Sequence, residues 1–145
     1  MRRVFADSSM LIAAAGSRTG ASRAVLMLAE VGLFQLVVSR QVLDECERNL
    51  RRKLPAALPV FAALLAAAAV EVTADPEEKA VATYRTVIVA KDAPILAAAV
   101  LGGADHLLTL DTTDFTPAVA EAAGIAIQTP AEFVTALRNL IDAEW

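Results

Sequence analysis

The chain has 145 residues, 57% hydrophobic and 21% charged, with a net charge of −4, which favours one folded domain over residues 1–145 and excludes a disordered chain. A single cysteine excludes an internal disulfide and a cysteine zinc cluster, and a single histidine argues against a histidine-based metal site or triad. Much of the apolar fraction is alanine, so a helix-rich protein is expected.

Met1-Arg2-Arg3 runs directly into a first strand, Arg3 to Ala6, which leaves no room for a signal peptide and makes cytoplasmic residence the expectation. Asp7 follows the strand at once. Ser8 or Ser9 caps a helix holding Met10, Leu11 and Ile12, and Gly16 to Gly20 breaks it. Ala21 to Val31 reads as a second helix, stopped by Gly32. Phe34 to Val38 is the second strand. Ser39 opens a helix from Arg40 to about Leu54, whose apolar stripe includes Val42, Leu43, Cys46 and Leu50, with Cys46 a small buried residue. After Pro55 an alanine-rich helix runs to Ala69. Its segment Val60 to Val70 is wholly apolar but shorter than the roughly 20 residues a membrane span needs, so a packed core helix and no membrane contact are expected.

Val70 to Thr73 is the third strand candidate, and Asp75-Pro76-Glu77-Glu78 looks like a helix start. Val81 to Val89 is assigned to helix despite its β-branched content. Asp92 to about Leu101 is the next helix, with Asp92 at its N-cap and Pro94 in its first turn. His106 to Leu110 is the fourth strand, finishing at Asp111. Pro117 to Ala123 is a short helix closed by Gly124, and Ile125 to Ile127 is the fifth strand. Thr129-Pro130-Ala131-Glu132 is a capping box that starts the last helix, with Phe133, Leu137, Leu140 and Ile141 on one face. Strands alternating with helices predict a parallel sheet covered on both faces.

Four carboxylates stand out. Asp7 and Asp111 both follow strands, so both fall on the edge where open α/β sheets bind ligands. Asp92 and Glu45 lie near helix starts that face that edge. Each has a plainer reading. Asp7 and Asp92 can act as helix caps, and Asp111 with Thr112, Thr113 and Asp114 can be an Asx turn. Helical periodicity places Glu47 closer to the apolar stripe than Glu45. Taken together, clustered acids repel and require protons or cations, and an all-oxygen set suits Mg²⁺ or Mn²⁺ better than Zn²⁺. Such ions bridge phosphate oxygens and activate water, and they reconcile a negative chain with a phosphate substrate. Arg48, Arg51, Arg52 and Lys53 form a basic group that either lines a phosphate backbone or is a solvated face with pairs such as Glu47 and Arg51. No phosphate-binding glycine loop is present.

The segments Phe5-Ala6-Asp7-Ser8-Ser9-Met10-Leu11-Ile12, Val37 to Cys46, Lys91 to Ala99 and Leu107 to Phe115, in this order and spacing, resemble a PIN domain. Thr129 to Phe133 is similar to the family's closing helix. The resemblance implies a parallel sheet of about five strands, order 3-2-1-4-5, flanked by helices, with a ribonuclease site at its carboxyl edge. It implies Asp7, Glu45, Asp92 and Asp111 as catalytic metal-binding acids, Asp114 as a further ligand, and Ser9 and Thr109 as supporting hydroxyls. The match selects Glu45 over Glu47. Ser8 and Ser9 stand where relatives often carry threonine and then asparagine or serine. Lys91 stands where some carry another carboxylate, and is expected to reduce negative charge or touch RNA.

Small stand-alone members resemble toxins of VapC type. That implies an RNA substrate, an antitoxin protein partner, a homodimer, and products with 5′-phosphate and 3′-hydroxyl ends. The alternative is a catalytically silent PIN-like module that binds RNA or protein. A phosphatase or phosphotransfer receiver would want a second aspartate near Asp7 or after the third strand, and Ser8-Ser9 and Val70-Glu71-Val72-Thr73 supply neither.

Overall fold

Two runs of apolar residues, Arg3–Ala6 (β1) and Gln35–Ser39 (β2), lie side by side at the centre of a parallel sheet. Val4, Phe5, Ala6, Leu36, Val37 and Val38 are fully buried, as a strand covered on both faces requires. A computed structural model describes residues 1–144. Three short strands complete the sheet: Glu71–Thr73 (β3), His106–Leu108 (β4) and Ala126–Gln128 (β5). The order is β3-β2-β1-β4-β5, with every neighbouring pair parallel.

The helices are Ser8–Gly16 (α1), Ala21–Glu30 (α2), Arg40–Lys53 (α3), Leu58–Ala67 (α4), Glu78–Tyr84 (α5), Ala93–Leu101 (α6), Pro117–Ala123 (α7) and Pro130–Glu144 (α8). A 3₁₀ turn at Pro55–Ala57 joins α3 to α4. The chain order reverses between β1 and β4, so the crevice above these two strands is the place where such sheets take ligands.

Several expectations need correction. The fourth strand ends at Leu108, not at Asp111. The side chains explain this: the Leu110 N–H donates to Ser9 Oγ and the Asp111 N–H to Thr109 Oγ1, so the backbone leaves the sheet after Thr109. The second, third and fifth strands each start one residue later than expected. The helix assigned to Val81–Val89 stops at Tyr84, and the β-branched run Thr86-Val87-Ile88-Val89 lies in turns.

The alanine-rich α4 is a surface helix and not a core helix. Within it only Phe61 is buried, while Val60 is exposed. Alanine lets it form without a wide apolar face. Among the described residues no helix is long and apolar enough to cross a membrane. On α8 the apolar stripe is only half used: Phe133 is buried, but Leu140 and Ile141 face out.

Candidate functional site

β1 delivers Asp7 to the carboxyl edge, and the Asp7 N–H continues the sheet by donating to the Leu108 carbonyl at 3.0 Å. Asp7 is the N-cap of α1, and its Oδ1 accepts from the Ser8 N–H at 2.7 Å. The capping reading is therefore correct for one oxygen. The other oxygen, Oδ2, faces the neighbouring strand. It accepts from Thr109 Oγ1 at 2.7 Å and from Ser9 Oγ at 3.3 Å. Ser9 and Thr109, which also lie 3.3 Å apart, thus hold the Asp7 carboxylate from two sides.

Thr109 Oγ1 also accepts from the Asp111 N–H at 3.0 Å, which fixes the start of the next turn. In that turn Asp111 Oδ1 accepts from the N–H groups of Thr113 and Asp114, both at 3.1 Å. This is the Asx-type geometry expected of the segment. It brings the Asp111 and Asp114 carboxylates close to Asp92, and one carboxylate oxygen from each of the three acids lies within 4.8 Å of the others. Asp92 stands at the N-cap of α6 but makes no capping hydrogen bond. Its Oδ2 is buried without a hydrogen-bonding partner. A buried carboxylate oxygen with no donor, beside two further carboxylates, is an acceptor whose needs a cation fits.

Glu45 enters from α3. Its Oε2 accepts from Ser8 Oγ at 3.1 Å and its Oε1 from Gln41 Nε2 at 3.1 Å. Glu45 is half-buried while Glu47 is exposed, so the periodicity argument for Glu47 fails. The helix turns its apolar stripe to the core, and the residue at the stripe's edge reaches the cleft. Sequence reasoning misses Ser8 and Gln41 as the holders of Glu45. The one signal for Gln41 is its spacing, four residues before Glu45 on one helix face.

The structure therefore brings Asp92, Asp111 and Asp114 together directly. Asp7 and Glu45 form a second group, bridged by Ser8, whose N–H donates to Asp7 and whose hydroxyl donates to Glu45; Thr109 Oγ1 links this group to the first by donating to Asp7 and accepting from the Asp111 N–H. Lys91 Nζ lies 3.3 Å from Asp114 and 4.0 Å from Asp92, supplying one positive charge at the cluster's rim. Arg48 and Arg52 line an open groove with Ser8, Glu45 and Asn49, so they adjoin the acids. Arg51 and Lys53 are exposed on the same helix but outside this groove. The expected Glu47–Arg51 pair is not among the ion pairs of the described residues.

The electrostatics follow from this packing. Burial raises the Asp7 pKa, helped by the Glu45 charge and opposed by the hydrogen bonds from Thr109, Ser8 and Ser9. Burial likewise lifts Asp92, with Asp114 and Asp111 adding to it and Lys91 opposing, from 3.8 to about 7. Asp114 moves the other way, chiefly because it can accept the Asp92 proton and then because Lys91 stands beside it.

A consequence concerns pH. From the ordinary carboxylate range up to about 7 the folded protein holds more protons on Asp92 than the unfolded chain does, and the raised Asp7 pKa acts in the same direction. Without metal, these two groups make stability fall as pH rises through that window. A bound cation needs the deprotonated acids, so its affinity rises over the same window. The Tm difference between Mg²⁺ and EDTA should therefore widen from pH 5 to pH 7 and flatten above. A gap that stays constant from pH 5 to pH 8 would count against these acids as the ligands.

The sequence pattern that defines the PIN domain matches residues 3–113. The chain belongs to the PIN domain family. No curated protein matches it in sequence. Solved structures show the same PIN fold at low identity. PAE2754 from Pyrobaculum aerophilum is 16% identical with a TM-score of 0.63, over 92% of this chain and 94% of that one. The VapBC2 complex from Rickettsia felis, solved with a DNA fragment from its own promoter, contains a chain 15% identical with a TM-score of 0.67, over 88% and 98%. Mycobacterium tuberculosis VapC20, a toxin that cleaves the sarcin–ricin loop, is 19% identical with a TM-score of 0.58, over 85% and 96%. These likenesses cover 85–92% of this chain, more than the matched pattern does.

Proposed function

We propose that this PIN protein is a Mg²⁺- or Mn²⁺-dependent endoribonuclease and the toxin of a toxin–antitoxin pair. The observation that carries the reading is the triad Asp92, Asp111 and Asp114, whose oxygens converge beside the unpartnered Asp92 Oδ2, with Thr109 Oγ1 joining the Asp111 backbone to Asp7. The ligands would be Asp7, Glu45, Asp92 and Asp111, with Asp114 as a further one. Bound there, the metal would supply Lewis-acid stabilisation of phosphate oxygens and a more acidic water.

The protein's own groups do the rest. Thr109 and Ser9 fix the Asp7 carboxylate so that it need not reorganise during reaction. Gln41 and Ser8 do the same for Glu45. Arg48 and Arg52 hold the RNA backbone beside Glu45, and Lys91 offsets charge on the opposite rim. The likeness to VapBC2 and VapC20 supports an antitoxin partner and an RNA target. A homodimer is part of the same proposal.

The test is cleavage of a mixed RNA pool with Mg²⁺ or Mn²⁺ against an EDTA control. RNA bound equally well in EDTA and never cut would favour the silent binding module. The groove has its own test. Replacing Arg48 and Arg52 together by Gln should weaken RNA binding and flatten its dependence on salt, by about 0.7 in logarithmic slope for each phosphate no longer neutralised. An unchanged slope removes the groove as the backbone path.

A further inference from the structure

Beside the acids lies a cavity that the metal chemistry does not use. It measures about 210 Å³ and opens between the Asp111–Asp114 turn, β5 and the start of α8. That is below the roughly 300 Å³ at which pockets for drug-sized ligands begin, so it suits a single ring system. Phe115 and Ile127 give it apolar walls, and Thr112, Thr116, Gln128 and Glu132 give it polar ones. A carboxylate in the lining repels phosphate, and a lining of six polar side chains, Thr109 and Thr129 included, does not suit an apolar peptide.

The donors and acceptors can be assigned. Arg2 Nη1 lies 3.1 Å from His106 Nε2, and an arginine can only donate. The His106 proton is therefore on Nδ1, which donates to Gln128 Oε1 at 2.8 Å. That fixes the Gln128 amide and leaves its Nε2 as a donor. Glu132 Oε1 closes the capping box by accepting from the Thr129 N–H at 2.9 Å. Its Oε2 makes no hydrogen bond among the described residues, and the hydrogen bond from Thr129 keeps the carboxyl ionised.

We infer that this cavity is a base subsite that selects guanine next to the cleaved bond. Guanine alone among the four bases places two adjacent N–H donors, N1–H and N2–H, beside an acceptor, O6. The carboxylate of Glu132 takes the two donors and the Gln128 amide gives to O6, on the Watson–Crick edge by which single-stranded RNA is read. Thr109, which lines the cavity, also bonds Asp7, so a base held here belongs to a nucleotide flanking the acids. The inference rests on the ribonuclease reading for its substrate, but the binding test does not depend on cleavage.

Guanosine, inosine, adenosine and uridine are added singly to the nitrogen-15-labelled full chain in EDTA, and amide shifts are followed. Guanosine should move the Thr112, Thr116 and Gln128 amides. Inosine, which lacks the exocyclic amine, should bind more weakly, and adenosine and uridine should leave these amides unmoved. Glu132→Gln keeps the capping box but removes the charge, and should weaken guanosine roughly tenfold or more. Gln128→Glu keeps the bond to His106 and should do the same. In parallel, cut sites in a random RNA pool are sequenced with Mg²⁺, where guanine should be enriched at one position beside the cut. Equal shifts with all four nucleosides, or none with guanosine, overturn the subsite even if RNA is cleaved. Selective guanosine binding without any RNA cleavage leaves the subsite standing and overturns the ribonuclease reading.

Discussion

Asp7→Asn should reduce metal-dependent RNA cleavage by roughly 100-fold or more and leave the fold intact. Groups one step removed from a metal typically cost 10- to 100-fold when lost, so a direct ligand should cost at least as much. Asparagine keeps the size and the cap: its oxygen can still accept from the Ser8 N–H. Its amide then donates to Thr109, whose hydroxyl rotates to accept. What disappears is a charge that burial and Glu45 both oppose. In EDTA the variant's Tm should therefore match or exceed the parent's, while the gain from adding Mg²⁺ should shrink. Undiminished cleavage in the variant would exclude Asp7 from the chemistry. A large Tm loss in EDTA would mean that its role is structural.

The second large effect is expected from Thr109→Val. Valine has nearly the same shape but no hydroxyl, so both Asp7 Oδ2 and the Asp111 N–H lose a partner. Thr109 is 1% exposed, so water cannot readily replace it. The cost should be about 1–3 kcal/mol of stability, seen as a fall of several degrees in Tm. Cleavage should fall roughly 10- to 100-fold, because the hydroxyl ties Asp7 directly to the Asp111 N–H, and Ser9, which bonds Asp7 and the Leu110 N–H, does not reach Asp111. Thr109 acts by positioning, so metal affinity measured by calorimetry should fall too, and Thr109→Ser should restore both. Metal affinity equal to the parent's would reduce Thr109 to a packing residue.

Much of the architecture is legible because parallel strands must be apolar throughout. Val4-Phe5-Ala6 and Leu36-Val37-Val38 announce themselves, and Asp7 directly after the first run marks the ligand-binding edge. The capping box at Thr129 and Glu132 forms as its spacing predicts. Other features depend on distant partners. Leu110 is apolar enough for a strand, and only Ser9, about a hundred residues earlier, draws its N–H away. Alanine in α4 carries no signal of whether a helix is buried or exposed. Family resemblance selects Glu45 against local periodicity, because a helix stripe identifies the core and says nothing about which flanking residue reaches a cleft. The guanine-sized cavity escapes pattern reading altogether, since it is defined by what surrounds it in space.

The pairing of β1 with β4 also sets a schedule. Thr109 and Asp7 are 102 residues apart, and no shorter segment supplies the hydroxyl that joins them. At roughly 5–20 residues per second of synthesis, Asp7 leaves the ribosome on the order of ten seconds before its partner. Within that interval Glu45 and then Asp92 follow Asp7 out, and Asp111 and Asp114 come last. The nuclease proposed above would stay incomplete while tethered to the ribosome and become competent only as its last quarter emerges.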